Sequence, residues 1–446
     1  MTRPTTFNAP INFLQAKFNR ISSMQRPAIH PIKDLKMLRP SRVVLSNGIP
    51  VYVIQFGDDQ VSRINILTEG GKCDSNNAFT AELMIAALRE GSKDMDAGRI
   101  AERLDFYGAW LAADAATHNT TLTLHTLNRN FDQVLSILAG IVQNPVFPAH
   151  EIGNLKSLAM NRLRANKEKV SYLALQQFGN LYFGPNHNLG AAMSEQIIDG
   201  VSTTQLQNFH SQWFAPENIR IIVAGSVSDE MIHMLDQKFG SMKHGVGRQS
   251  ASDCPDVEFC PQTAFIEKAD ALQNAIRIGI PAIARTDPDY IPLRILTTAL
   301  GGYFGSRLMT NIRETKGYTY GISASLLGYR NNSVISISSQ CDSSYTAAVV
   351  EEIKKEMAEL CQNTIPHDEL RRIRSYMLSD LARSLDTPFS VADYYVSMLN
   401  NRIPEDYFDR QIDIINAITP ERLRDVARRY YDTSNMLIVV AGRETT

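Results

Sequence analysis

The apolar positions follow two periods that alternate along the chain. Residues 42–56, RVVLSNGIPVYVIQF, carry β-branched runs on either side of an Asn-Gly pair, which predicts two strands joined as a hairpin. In FTAELMIAALREGS (79–92) the apolar spacing becomes i, i+3, i+4 and stops at Gly91, so a helix is expected. AATHNTTLTLHTL (115–127) alternates again, with Leu122 and Leu124 on one face of a strand. Helical periodicity then covers 131–143, 149–167 and 203–213, and a strand follows at 218–225. Strands and helices interleave without a strict βαβ rhythm. That predicts an α+β fold whose sheets are mostly antiparallel or mixed and packed with helices.

The same pattern returns in the second half of the chain. QLQNFHSQWFAPENIRIIVAG (205–225) matches RLRDVARRYYDTSNMLIVVAG (422–442), pairing Leu206 with Leu423, Trp213 with Tyr430, Asn218 with Asn435 and Gly225 with Gly442. Residues 143–166 resemble 362–384 at nearly the same offset. Two separated blocks in register argue for duplication of a unit of about 200 residues. The expected organisation is an arm over 1–40, a first half over 41–240, a linker over 241–258 and a second half over 259–446. The stretch 240–262 is rich in Gly, Ser and Pro and has no periodicity, so the halves are expected to fold separately and to face each other across a cavity.

Composition narrows the class. With 446 residues, 44% hydrophobic and 21% charged, the chain can bury large cores, which excludes a small module, a disordered chain and a collagen-like fibre. A net charge of -2 advertises neither nucleic acid nor an anionic membrane as a partner. The arm differs, with seven basic residues and Asp34 as its one acid, a bias that suits a transit peptide or a basic lead-in. The longest uncharged stretch, Ser171 to Ser194, is broken by Gln176, Gln177, Asn180, Asn186 and Asn188, so no membrane-spanning helix is expected. Five cysteines without CxxC spacing suggest neither a disulfide framework nor a structural zinc site, and a cytoplasmic location is the expectation.

The order of LSNGIPVYV, a helix ending in Glu-Gly-Ser, NPVF, FGPNHNLG, FHSQWFAPENIRIIVAG and, in the second half, LGGYFGSRLMTNIRETKGYTYGISA resembles the pitrilysin/insulinase family of zinc peptidases over about residues 41–446. The resemblance implies two homologous halves that clasp an unstructured peptide. In active members the first-half helix carries H-x-x-E-H, whose histidines one turn apart bind Zn²⁺ while the Glu activates its water. Anchored on Glu90-Gly91-Ser92, the matching stretch here is Glu82-Leu83-Met84-Ile85-Ala86. Both histidines and the base are gone, and Asn161 or Arg162 stands where a third, acidic ligand is implied. None of the nine histidines has another three or four residues away, and Glu82 alone is one carboxylate, so no metal site and no cofactor is expected in this chain.

The second half retains the family's Arg and Tyr seven residues apart, Arg313 and Tyr320 in RETKGYTY. The resemblance implies that both reach across to the zinc site, the Tyr hydroxyl donating to the oxyanion of the tetrahedral intermediate and the Arg holding substrate. Read from the residues alone, Arg313 is equally a solvated helix charge and Tyr320 a half-buried strand aromatic. Gly317 is expected to end the helix, with Tyr320 opening a strand. Gly301 and Gly302 of GGYFGS occupy the place of a substrate-contacting loop in the family; close helix packing is the plainer alternative, and the turn lacks the Lys of a nucleotide-binding loop. His118 and His125, seven apart in a strand, fall on opposite faces.

Together these readings predict the non-zinc subunit of a heterodimeric metallopeptidase. It would supply Arg313, Tyr320 and half of a peptide chamber to a partner carrying H-x-x-E-H and the Zn. The alternative is a non-enzymatic scaffold or peptide-binding protein of the same fold.

Overall fold

A computed structural model describes residues 32, 35–245 and 259–444. Most of the basic arm and most of the expected linker lie outside the described residues.

The first half runs β1 (Ser41–Val44), β2 (Pro50–Gln55), β3 (Val61–Glu69), α1 (Thr80–Ala87), α2 (Ala97–Phe106), β4 (Trp110–Ala115), β5 (Asn119–Leu127), α3 (Phe131–Gln143), α4 (Ala149–Lys167), α5 (Val170–Phe183), α6 (Glu195–Asp199), α7 (Thr203–Trp213), β6 (Ile219–Gly225) and α8 (Asp229–Phe239). The second runs β7 (Gln262–Glu267), β8 (Asn274–Ala282), α9 (Tyr290–Thr297), β9 (Thr319–Gly328), β10 (Ser333–Cys341), α10 (Thr346–Gln362), α11 (His367–Arg383), α12 (Pro388–Asn400), α13 (Tyr407–Ala417), α14 (Pro420–Tyr430) and β11 (Leu437–Gly442).

The duplication is visible in the topology. The first sheet has the order β1-β2-β6-β3-β5-β4 and the second β7-β11-β8-β10-β9, the same arrangement once β1 is set aside. In each, one parallel pair (β2 with β6, β7 with β11) joins an otherwise antiparallel sheet. The Asn-Gly hairpin forms between β1 and β2, with Gly48 at φ 89°, a conformation that suits glycine. His118 falls in the turn before β5 rather than within the strand, whereas His125 is a strand residue.

Alternation along the strands explains how each sheet is covered. On β6, Ile221 and Val223 face the large core built by the first half's own helices, while Ile222 and Ala224 face the other way. That second face, with Ile54 and Leu67, is covered by Val391, Ala392, Tyr395 and Met398 of α12, a helix of the second half. The exchange is reciprocal. Ala174, Phe178 and Tyr182 of α5, a first-half helix, cover Ala275, Val334, Leu437, Val439 and Ala441 of the second sheet.

Ionic contacts fasten the same exchange. Arg63 on β3 pairs with Asp393 of α12, and its side chain is 9% exposed. Glu69, 2% exposed, is held between Arg220 and Arg402, the latter at 2.8 Å from across the halves and at the unusual φ of 52°. Burying a carboxylate is costly unless it is paired and hydrogen-bonded, and Glu69 meets both conditions. The expectation of separately folding halves therefore needs correction: each sheet depends on a helix lent by the other half, and 36–446 form one compact unit.

Candidate functional site

The register of α1 is the one the motif comparison implies. Glu82 and Ala86, one turn apart, face a cavity of about 350 Å³, while Ile85, in the place of the base, is buried in the core at 2% exposure. Leu83 of α1, Leu155, Leu158, Ala159 and Leu163 of α4, and Met193 and Ile198 complete an apolar lining. Of the two candidates for the acidic position, Arg162 borders the cavity and Asn161 does not. The Glu82 carboxylate pairs with Lys72 at 3.0 Å. Nearby, Tyr172 has its phenol pushed up, by burial first and by the Glu82 charge second.

These residues do not suit a zinc ion. A tetrahedral site needs at least three protein donors. Here one carboxylate is already neutralised by an ammonium, a guanidinium stands where a further anion would be required, and the rest of the wall is hydrocarbon apart from the Asn166 and Gln176 amides and the Tyr172 phenol, which add neither a carboxylate nor an imidazole. A dication would be stripped of water without gaining ligands.

On the second-half side, Gly317 lies at φ 65° and ends a wide π-helical segment, Met309–Thr315, that carries Arg313. Thr319 then opens β9, whose other edge is free of strand partners within its sheet. Tyr320 is 90% exposed and borders an open cavity of about 630 Å³ with Arg277, Met309, Gln340 and Ser171. The cavity thus draws its wall from the second sheet and from α5 of the first half. Burial lowers the pKa of the Arg277 guanidinium from its ordinary value, and Arg277 donates to Ser336 Oγ at 3.3 Å.

Arg313 sits apart from that cavity. Its guanidinium lies over the ring of Phe304, 4.7 Å from the centroid, and Phe304 itself is 63% exposed. Gly301 is buried against β9, where a Cβ would stand 2.7 Å from that of Ala324; this is the close packing that the sequence offered as an alternative. Gly302 is exposed at the surface, and its carbonyl accepts from the Tyr376 hydroxyl at 3.4 Å.

Sequence reasoning missed Arg277 and Phe304. Arg277 left one trace, a lone cation inside the apolar run NAIRIGIPA of a central strand. Phe304 left none, because its contact with Arg313 depends on how the loop folds back.

Two family models cover the chain in succession: insulinase (peptidase family M16) over residues 60–180, and the peptidase M16 inactive domain over 200–377. The chain belongs to the M16 family. Among its relatives is a Mycobacterium leprae protein described as an uncharacterized zinc protease, 26% identical over 74% of this chain and 75% of that one. A Helicobacter pylori relative described as a non-peptidase homolog is 24% identical over 57% of this chain and 59% of its own length. The fold matches a crystal structure from Pseudomonas fluorescens described as a peptidase M16 inactive domain, with a TM-score of 0.83 at 21% identity over 92% of this chain and 99% of that one. This M16 chain thus combines the family's fold with a helix α1 that carries no histidine. Among its described residues no helix is long and apolar enough to cross a membrane.

Proposed function

We propose that this M16 homologue is the non-zinc subunit of a heterodimeric metallopeptidase. It would lend Tyr320 and one wall of a peptide chamber to a partner chain bearing H-x-x-E-H. The observation that carries the reading is a contrast between the two sites. The cavity at 82–86 offers one carboxylate, already paired with Lys72, and no histidine, yet Tyr320 keeps its ring almost wholly exposed beside a cavity large enough for an extended peptide. A large aromatic left this open on a β-strand contributes little to the core, so its value lies in what it meets outside.

In this reading the metal and the general base belong to the partner. Tyr320 donates its O–H to the oxyanion that develops on the scissile carbonyl, a charge present only near the transition state. Arg313, steadied over Phe304, offers a planar cation to the substrate backbone or to the partner. The free edge of β9 offers backbone groups to an extended peptide.

The test is reconstitution of Tyr320→Phe with the partner. Removing one oxyanion donor costs about 10²- to 10³-fold in kcat, and an exposed hydroxyl should leave the melting temperature unchanged. Full activity in that variant would favour the scaffold reading, in which the chain binds peptide or partner without taking part in chemistry.

A further inference from the structure

The second half contains a cavity with no counterpart in the reading above. It occupies the place that the duplication assigns to the degenerate metal cavity of the first half: α9 stands for α1, α11 for α4, α12 for α5 and α13 for α6. Its volume is about 420 Å³, within the usual range for small-molecule sites. The two cavities differ in charge: the first holds a carboxylate paired with Lys72, and this one has two guanidinium groups and several phenols.

Two guanidinium groups, Arg285 and Arg294, line it together with the phenols Tyr290, Tyr394 and Tyr407. Among the described residues neither arginine has a carboxylate partner. The one acid in the wall, Asp380, is engaged by Arg383 at 2.6 Å. Arg285 Nε is buried and without any hydrogen-bond acceptor. Buried polar groups are nearly always satisfied, so an orphaned N–H on a guanidinium that borders a cavity marks a cation whose donors are not used up by the protein. Arg285 is also held in place, since a Cβ on Gly328 would come within 2.4 Å of its Nε.

Arg294 is oriented from behind. It donates to Gln411 Oε1, and Gln411 Nε2 in turn donates to Tyr394 Oη at 2.8 Å. With its oxygen accepting from Gln411, Tyr394 has its own O–H left to donate. Burial pushes that phenol up to about 12, so it remains a donor throughout the physiological range. Burial raises Tyr407 as well, while Arg294 and Arg285 pull it back, which places both cations in reach of that ring.

We propose that this cavity binds a small organic oxyanion, a carboxylate or phosphate monoester. Its charged head would be held by Arg285 and Arg294 and its apolar body would lie against Leu326, Met377 and Met398. A planar guanidinium is matched by either head, and the volume exceeds what a bare inorganic ion fills. The proposal does not depend on Tyr320 or on a partner chain, so it stands or falls separately from the subunit reading.

The test uses the full-length chain and three probes that share one ring: phenyl phosphate, phenylacetate and neutral benzyl alcohol. They are titrated calorimetrically at matched ionic strength. At least one anion is expected to bind ten or more times tighter than the alcohol and to raise the melting temperature, and the stronger of the two identifies the head group. Arg294→Gln should weaken that binding at least tenfold. Should it fail to fold, Ser397→Glu, on the cavity wall in a helix that tolerates Glu, supplies an internal carboxylate; it should abolish anion binding while preserving or raising the melting temperature. Equal affinity for all three probes, no binding at millimolar concentration, or anion affinity unchanged in the folded variant would overturn the proposal.

Discussion

Phe178→Ala should destabilise both halves of the molecule at once. Phe178 belongs to the first half of the sequence but is 5% exposed in the core over the second sheet. Its ring stacks on Tyr182 at 5.5 Å and lies so close to Gly279 that a Cβ there would stand 2.3 Å from Phe178 Cζ. Truncation therefore opens a void that neighbouring backbone cannot fill, and a buried Phe→Ala change costs about 3–5 kcal/mol. With a urea m-value on the order of 4 kcal/mol/M for a body this large, the midpoint should fall by about 1 M. Both tryptophans, Trp110 and Trp213, lie in the first half, and Trp213 is buried in its core, so intrinsic fluorescence reports that half while far-UV circular dichroism reports the whole. Because α5 and α12 are exchanged, the two probes should give one transition, shifted together. A fluorescence midpoint that stays at the wild-type value while the dichroism splits into two steps would refute the interlocked-core argument.

The ion pairs across the halves should behave likewise. Glu69→Gln leaves Arg220 and Arg402 facing a neutral amide and should cost about 3 kcal/mol in urea unfolding, whereas an unchanged midpoint would show that the cluster contributes nothing. His125, in contact with Trp110 and Phe389 and near Arg63 and Asp393, has its pKa lowered first by burial and then by the Arg63 charge, with Asp393 opposing. Its folded pKa is thus below the unfolded value of about 6.5, so the unfolded state takes up the extra proton. Stability should be fully present above about pH 6.5 and fall as the pH drops through the lowered folded pKa, and His125→Gln should flatten that part of the melting-temperature profile. Phe304→Ala should leave the fold intact but free Arg313 from its ring, lowering the activity of the reconstituted complex without shifting its melting temperature; unchanged activity would return Arg313 to a solvated surface charge.

Local periodicity was enough to locate much of the secondary structure. The helices at 131–143, 149–167 and 203–213 stand where their apolar spacing places them, and Gly91 and Gly317 end segments as expected. The internal repeat likewise foretold two sheets of one design, because equivalent residues must occupy equivalent positions. The helix exchange was not legible. Ala174, Phe178 and Tyr182 show an apolar stripe with helical spacing, but nothing in a stripe names the sheet it will cover. For the same reason the unpartnered Arg285 and Arg294 drew no notice: they are nine residues apart in sequence, and only the packing of α9, α12 and α13 turns them into one wall. That no histidine stands within 82–86 is read directly from the residues. That Lys72 would come to neutralise Glu82 depended on a turn ten residues earlier.

Zinc stoichiometry in material isolated from the native source through a tag on this chain separates a zinc-free subunit from a self-contained enzyme. A second M16 chain carrying H-x-x-E-H should come with it, with one zinc per pair, and this chain purified alone should hold far less than one zinc and cleave no unstructured peptide. One tightly held zinc per chain in the isolated protein, with chelator-sensitive peptidase activity, would contradict the subunit reading.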